Sequence, residues 1–463
     1  MHFAILDIEQ RSDENGSYVS YGISINGGFH SSIRYRNLRV LHEQLKKEFG
    51  DHVPDSFPPK KILSLNHAQL QERRDLLEKY LQAISQDPML INSKTFIKFL
   101  LNAQKETCEV EEKDVELDVY LLNGKKFQVK VKNTASTDHV MELAMSHIKL
   151  PENMAQYFSL FLVEMEDEES LVVVRKLQGF ESPSLVLLPQ KQSHRLIVRK
   201  NFWDSSIEDE LYEDKIALNL LFVQAVCDVE RDWVITSPET MEQLNTLKIK
   251  NERKKYLQLA RKQKFYGYVQ FKPCLMDFPE SETRVLINTG GYELNFRIIG
   301  SQNTKGKEGN FKVTRIRCWR VISSRESKND DIITKICFEY LFSKSKLQWI
   351  TIVSDQAMLI SLCLQGMVDE LIKNRAKNEN ETSKSTTQVS LAKEKTSSAH
   401  KKDTLKERNE EETKSDETSV DGNDEDKNEE LPSTNRRSKK VKSKKILSVK
   451  NEVFAQHIND DDL

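Results

Sequence analysis

The sequence predicts an α+β multidomain protein, several folded units in series followed by a tail that does not fold. The length of 463 residues exceeds one core, at roughly 100 to 200 residues per domain. Strand-like and helix-like runs occur in separate blocks instead of sharing one period. Beyond Asn374 the aromatic residues vanish until Phe454. Hydrophobic residues at 38% supply cores over most of the chain, and charged residues at 31% leave an excess that marks an unfolded part.

The first block, residues 1–107, opens with strand-like runs at Met1 to Ile8 and Tyr18 to Ile25. Asn26-Gly27-Gly28 then supplies the positive φ angles of a tight hairpin before Phe29 to Tyr35 returns. Leu38, Leu41, Leu45 and Phe49 recur at helical spacing, Phe57-Pro58-Pro59 interrupts with an extended loop, and Leu76, Leu77, Tyr80, Leu81 and Ile84 restart the helix. The polar run Glu109 to Asp114 is a boundary.

In residues 115–200 a second hairpin around Asn123-Gly124, a helix at His139 to Ile148 and strands at Phe158 to Val163 and Leu171 to Val174 follow the order of a ubiquitin-like lobe. Residues 201–267 carry apolar positions at helical spacing, among them Leu218, Leu221, Phe222 and Leu259, and form a helical lobe. Residues 268–374 return to strands at Arg315 to Val321, Ile333 to Phe342 and Leu347 to Ile352. The helix Gln356 to Lys373 closes this block, an order that suits a pleckstrin-homology-like barrel. Residues 375–463 are the tail, whose Lys, Glu, Ser, Thr and Asn cannot bury enough apolar area to offset the entropy of ordering.

Six cysteines lie singly, without the paired spacing of a disulfide framework or a zinc site, and read as reduced core thiols in the cytosol. The start at Met1 to Gln10 lacks a basic region followed by a long apolar stretch, and no window reaches the ~18 apolar residues of a membrane span. Membrane contact is expected to be peripheral. The nearest approach to a phosphate-binding loop, Gly300 to Glu308, has Gly306-Lys307 at the wrong spacing and Glu308 in place of Ser or Thr. No nucleophile elbow or metal-binding helix occurs, so the chain reads as a non-enzyme without metal or cofactor.

Arg34-Tyr35-Arg36 follows the third strand, with Lys60 after the proline loop and Arg73 on a later helix. A guanidinium grips a phosphate bidentately, an ammonium adds a compact charge, and an aromatic face packs against a sugar ring. Taken singly such residues are ordinary surface charge; their order is what points to a phosphorylated headgroup.

This block resembles a PX (phox-homology) domain over residues 1–107, through Arg34-Tyr35, Phe57-Pro58-Pro59-Lys60 and Glu72-Arg73. The resemblance implies that Arg34 holds a 3-phosphate, Tyr35 stacks on the inositol, Lys60 meets the 1-phosphate and Arg73 binds the far hydroxyls. Ile33 stands where many members carry another Arg, and Arg36-Asn37 where Ser-Asp is frequent.

A second candidate site is the strand Val313 to Val321, holding Arg317, Cys318 and Trp319, beside the apolar helix through Val368 and Ile372. An extended peptide adds to such a strand; equally, Trp319 is core and Val368 and Ile372 plug the barrel. The three lobes resemble a FERM module, and with the PX-like block they resemble the PX-FERM sorting nexins over residues 1–374, through Asn219-Leu220-Leu221, Tyr266-Gly267-Tyr268, Arg317 to Val321, Cys363-Leu364-Gln365 and Met367 to Leu371.

That resemblance implies an endosomal adaptor that binds phosphatidylinositol 3-phosphate membranes and captures Asn-Pro-x-Tyr or Asn-x-x-Tyr signals in receptor tails beside the Trp319 strand. It implies residence in the cytoplasm and on the cytoplasmic face of early endosomes, and cargo recycling instead of lysosomal degradation. The terminal Asp460-Asp461-Asp462-Leu463 resembles the ending through which that group recruits the retriever/commander recycling complex. A Ras-type small GTPase bound by the ubiquitin-like lobe is the alternative partner, in a signalling scaffold. No nucleic acid is expected, and the chain is expected to be a monomer. The run Arg436 to Lys445 holds seven basic residues in ten, which fits either an anionic membrane surface or a nuclear signal.

Overall fold

The computed structural model describes residues 1–14, 16–61, 65–165, 170–190, 193–300, 307–324, 333–396 and 445–450. The first block folds as an antiparallel sheet of β1 (Phe3–Asp13), β2 (Gly16–Ile25) and β3 (Gly28–Arg34). Asn26 at φ +50° and Gly27 at φ +82° turn the β2–β3 hairpin as the sequence predicts. The helices α1 (Tyr35–Phe49), α2 (His67–Ile84), α3 (Pro88–Ile91) and α4 (Lys94–Cys108) cover the sheet. An Asn66/Gln69 capping box starts α2. The free edge of β1 is closed by α2 side chains: Gln82 Oε1 accepts from Phe3 N at 3.0 Å and Glu78 Oε2 from Ile5 N at 2.7 Å. Phe3, Ile23, Leu41, Leu77 and Phe96 fill this core.

The second block contains β4 (Asp114–Tyr120), β5 (Lys126–Lys132), α5 (Thr137–His147), α6 (Glu152–Ala155), β6 (Phe158–Met165), β7 (Leu171–Lys176), α7 (Pro183–Leu187) and β8 (His194–Lys200). Its sheet runs β5-β4-β8-β6-β7, with β8 joining β4 in parallel and β6 antiparallel. The third block is α8 (Ile207–Leu211), α9 (Lys215–Glu230), α10 (Pro238–Ile249) and α11 (Arg253–Ala260). It shares one core with the second block, where Leu160, Leu196, Leu220 and Tyr256 meet.

The fourth block comprises β9 (Val269–Gln270), β10 (Cys274–Met276), β11 (Thr283–Gly290), β12 (Glu293–Ile298), β13 (Glu308–Lys312), β14 (Ile316–Ser324), β15 (Ile333–Ser343) and β16 (Lys346–Val353), then α12 (Ala357–Thr396). The helix was expected to end near Lys373. It runs on to Thr396, and residues 374–396 contain neither Gly nor Pro to stop it. A further strand, β17 (Lys445–Lys450), pairs antiparallel with β14, so the sheet order is β13-β12-β11-β10-β16-β15-β14-β17. An unfolded segment over 375–450 was expected; of it the structure describes only helix backbone up to Thr396 and strand backbone over Lys445–Lys450.

The first block is docked on the others. Glu181 accepts from Arg175 Nη1 through both oxygens at 2.8 Å, and a Cβ on Gly28 would lie 3.1 Å from Arg175 Nε. Ser182 N donates to Gln104 Oε1 at 2.7 Å. The β2–β3 hairpin also reaches α12, where a Cβ on Gly27 would lie 3.1 Å from Met358 Cγ.

Candidate lipid and peptide sites

Tyr35 is the first residue of α1, one step past the end of β3. Its hydroxyl donates to Pro58 O at 2.8 Å and its ring stacks on Phe57 with centroids 5.7 Å apart. Phe57 in turn lies flat on His42, at 4.6 Å and 10°, and edge-on to Tyr80. His42 Nδ1 and the Tyr80 hydroxyl are 2.9 Å apart. These contacts tie α1, the proline loop and α2 together. Burial raises the Tyr35 phenol above its ordinary pKa, opposed by the Arg73 guanidinium, so the ring faces the site uncharged.

From α2, the Arg73 guanidinium lies 4.2 Å from the Tyr35 ring centroid. Its buried Nη2 has no hydrogen-bond partner. Lys60 is exposed and makes no ion pair among the described residues, and the same holds for Arg36 in the first turn of α1. Tyr35 therefore touches Arg73 on α2 and the proline loop at Phe57 and Pro58, two residues before Lys60.

Arg34 turns elsewhere. Its Nη1 is 2.7 Å from Asp13 Oδ2, and its guanidinium lies 3.4 Å from the Tyr18 ring centroid, both partners on the β1–β2 hairpin. It opens onto a cleft of about 930 Å³ between α1 and α4, lined also by Asn37, Gln44 and Lys98. Sequence reasoning missed Asp13, Tyr18 and His42. The only signal for His42 is its position two helical turns after Tyr35, on the same face.

In the fourth block the alternation of β14 sends Trp319 and Val321 inward, each 1% exposed, and turns Cys318 and Arg320 outward. Trp319 Nε1 donates to Ser361 Oγ on α12 at 2.9 Å. The indole is thus core, and what Trp319 offers a peptide is its backbone. Arg317 Nη2 pairs with Glu339 Oε2 at 2.5 Å. Burial, then Glu339, raise the Cys318 thiol, which stays protonated at neutral pH. Val368 is buried in the barrel core, with Ile372 partly buried against it.

The outer edge of β14 is taken by β17, with Cys318 opposite Lys450, Trp319 opposite Val449 and Ser323 opposite Lys445. The sequence carried no sign of this pairing. Asp460 to Leu463 and the basic run from Arg436 through Lys444 lie outside the described residues.

On the ubiquitin-like lobe, β5 is an open edge whose lysines are matched across the strand pair: Lys126 with Asp118 at 2.6 Å, Lys130 with Glu116 at 3.5 Å and Lys132 with Asp114 at 3.1 Å. All six cysteines are free, with burial pushing Cys227, Cys274 and Cys363 up to about 12. Among the described residues no group of His, Cys, Asp and Glu could hold a metal, and no helix is long and apolar enough to cross a membrane.

Comparison with known proteins matches residues 23–103 to the PX domain and 115–203 to the F1 lobe of the sorting nexin 17/27/31 FERM domain. Residues 204–264 match the sorting nexin 17/31 F2 lobe and 267–372 the sorting nexin 17 FERM C-terminal domain. Sorting nexin-17 of Danio rerio is 44% identical over 389 residues, 81% of this chain and 82% of that protein. Human sorting nexin-17 is 42% identical over 81% of this chain and 83% of its own length. Human sorting nexin-31 is 31% identical over 82% of this chain and 88% of its own length. A PX domain followed by three FERM lobes, matched along the chain to these relatives, makes this protein a member of the PX-FERM sorting nexins.

Proposed function

We propose that this non-enzymatic sorting nexin attaches to phosphatidylinositol 3-phosphate on early endosomes and captures Asn-Pro-x-Tyr or Asn-x-x-Tyr signals in receptor tails, sending the receptors to recycling. The PX domain implies phosphoinositide binding and the FERM domain implies binding of peptide tails. The observation that carries the lipid half is the meeting of Tyr35, the Lys60 loop and the unsatisfied Arg73 Nη2 on three separate elements. In this reading Arg73 Nη2 donates to ring hydroxyls, Tyr35 packs on the inositol face and Lys60 meets the 1-phosphate. Arg34 exchanges Asp13 for the 3-phosphate. That exchange is cheap, since an exposed ion pair contributes only ~0–1 kcal/mol, whereas a phosphate offers bidentate charge-assisted bonds.

For the peptide half, support comes from β14 itself, whose outer edge already accepts an antiparallel strand in β17. A receptor tail would take that place, with Val368 and Ile372 beneath its side chains and Arg317 and Cys318 beside it. Two attachments on one chain raise residence on the membrane through effective concentration. Asp460 to Leu463 is then the contact for the retriever/commander complex. The GTPase alternative gains nothing from β5, whose lysines are already matched by carboxylates.

Two measurements test the reading. Co-sedimentation with 3-phosphoinositide vesicles should be weakened about tenfold or more in Arg34→Ala; unchanged binding sinks the lipid site. A receptor-tail peptide should retain the protein and its Tyr-to-Ala form should not, so equal retention removes the cargo reading.

A further inference from the structure

Ile249 is exposed at 84%, more than any other large apolar side chain among the described residues. It ends α10 between Lys248 and Lys250, and Asn251 at φ +55° turns the chain into α11, which begins Arg253-Lys254-Lys255. Residues 247–264 carry eight Lys and Arg against one carboxylate, Glu252. Five of these cations are paired: Lys248 with Glu230, Lys254 with Glu213, Lys255 with Glu252, Arg261 with Asp209 and Lys264 with Glu308. Lys250, Arg253 and Lys262 have no carboxylate partner among the described residues, Arg253 bonding only to Asn251 Oδ1 at 2.9 Å and lying over Phe222. The next most exposed apolar side chains, Phe29, Leu188 and Met89, have no Lys or Arg beside them in the chain.

An aliphatic tip framed by unneutralised cations is the pattern of a side chain that enters a lipid interface while its neighbours meet phosphates. We propose that the α10–α11 corner of the helical lobe is a second membrane contact, taking the anionic surface of a bilayer: Ile249 sinks among the headgroups and Lys250 and Arg253, which flank the turn, face lipid phosphates. An acidic protein segment would satisfy the cations but leave Ile249 in water. A bilayer satisfies both. The inference rests on the reading that this chain works on a membrane, and is independent of the 3-phosphoinositide site.

The test is co-sedimentation of the full chain with phosphatidylcholine vesicles containing phosphatidylserine and no 3-phosphoinositide. Ile249→Glu and Lys250→Glu should each weaken binding about fivefold or more. Both residues are exposed, so the fold is retained. Affinity for the soluble headgroup inositol 1,3-bisphosphate, read by calorimetry, should be the same in wild type and both variants. Phosphatidylserine binding without headgroup binding would sink the PX reading and support this one. Unchanged vesicle binding in both variants overturns the proposal. So does binding of the wild type to soluble polyglutamate that Lys250→Glu abolishes and Ile249→Glu leaves intact, which assigns the corner to an acidic protein.

Discussion

Trp319 on β14 and Ser361 on α12 are joined by a 2.9 Å hydrogen bond from the indole Nε1 to the hydroxyl, with both side chains buried. Ser361 Oγ also lies 3.3 Å from Nε2 of His2, which belongs to the PX block. One hydroxyl therefore meets the strand proposed for peptide binding, the helix behind it and the first domain. Ser361→Ala leaves the buried indole N–H unpaired and should cost ~1–3 kcal/mol. Trp319→Ala adds a large cavity and should cost ~3–5 kcal/mol. Urea unfolding of the full chain measures both, and a neutral Ser361→Ala would show that the bond contributes nothing.

The residues proposed to meet lipid should differ in degree. Each charge-assisted bond to a phosphate contributes ~1.5–3 kcal/mol, so Arg34→Ala and Lys60→Ala should each weaken 3-phosphoinositide vesicle binding by about tenfold or more. Tyr35→Phe keeps the ring and loses the bond to Pro58, for an effect of ~1 kcal/mol. Vesicle titrations separate these outcomes. A Tyr35→Phe loss as large as that of Arg34→Ala would contradict the assigned roles.

Because β17 lies on the outer edge of β14, it competes with any added peptide. A chain ending at Thr396 should bind an Asn-Pro-x-Tyr peptide several-fold more tightly than the full chain, by removing the fraction in which the edge is filled. Fluorescence anisotropy with a labelled peptide reads this directly. Equal affinities would mean that the strand does not hinder entry.

His2 is buried and its pKa is lowered to about 4, first by burial and then by the neighbouring N-terminal ammonium. The unfolded chain titrates near 6.5 and so binds more protons between these values. The stability from a neutral, buried His2 is therefore present above pH 6.5 and is lost as pH falls toward about 4. The full effect is on the order of 3 kcal/mol. Urea midpoints at pH 7 and pH 5 should differ in the wild type and differ less in His2→Gln.

The Arg175–Glu181 pair is buried beneath the β2–β3 hairpin, its side chains 9% and 1% exposed. Glu181→Ala strands the guanidinium and should cost ~3–5 kcal/mol. Replacing both residues by apolar ones should cost much less. Limited proteolysis near residues 109–113 would reveal whether the PX block loosens in the single variant.

The order and type of most elements were legible because they rest on local spacing: Asn26-Gly27 as the hairpin turn, the Leu38-Leu41-Leu45 helix face, and the alternation from Ile316 to Val321. Nothing comparable announced β8, a central strand whose burial comes from neighbours on both sides. For the residues proposed to meet lipid, local order alone states which side chains stand after the third strand, after the proline loop and on the next helix. That Tyr35 and Arg73 touch while Arg34 rests on Asp13 and Tyr18 follows from the packing of the β1–β2 hairpin, which local order does not record. Likewise the sequence determined that β14 is an alternating strand, and only the fold decided that Trp319 is core and that a segment more than a hundred residues later fills its edge. Periodicity records which face of an element is apolar; it does not record which distant backbone supplies the missing hydrogen bonds, and that is settled by packing.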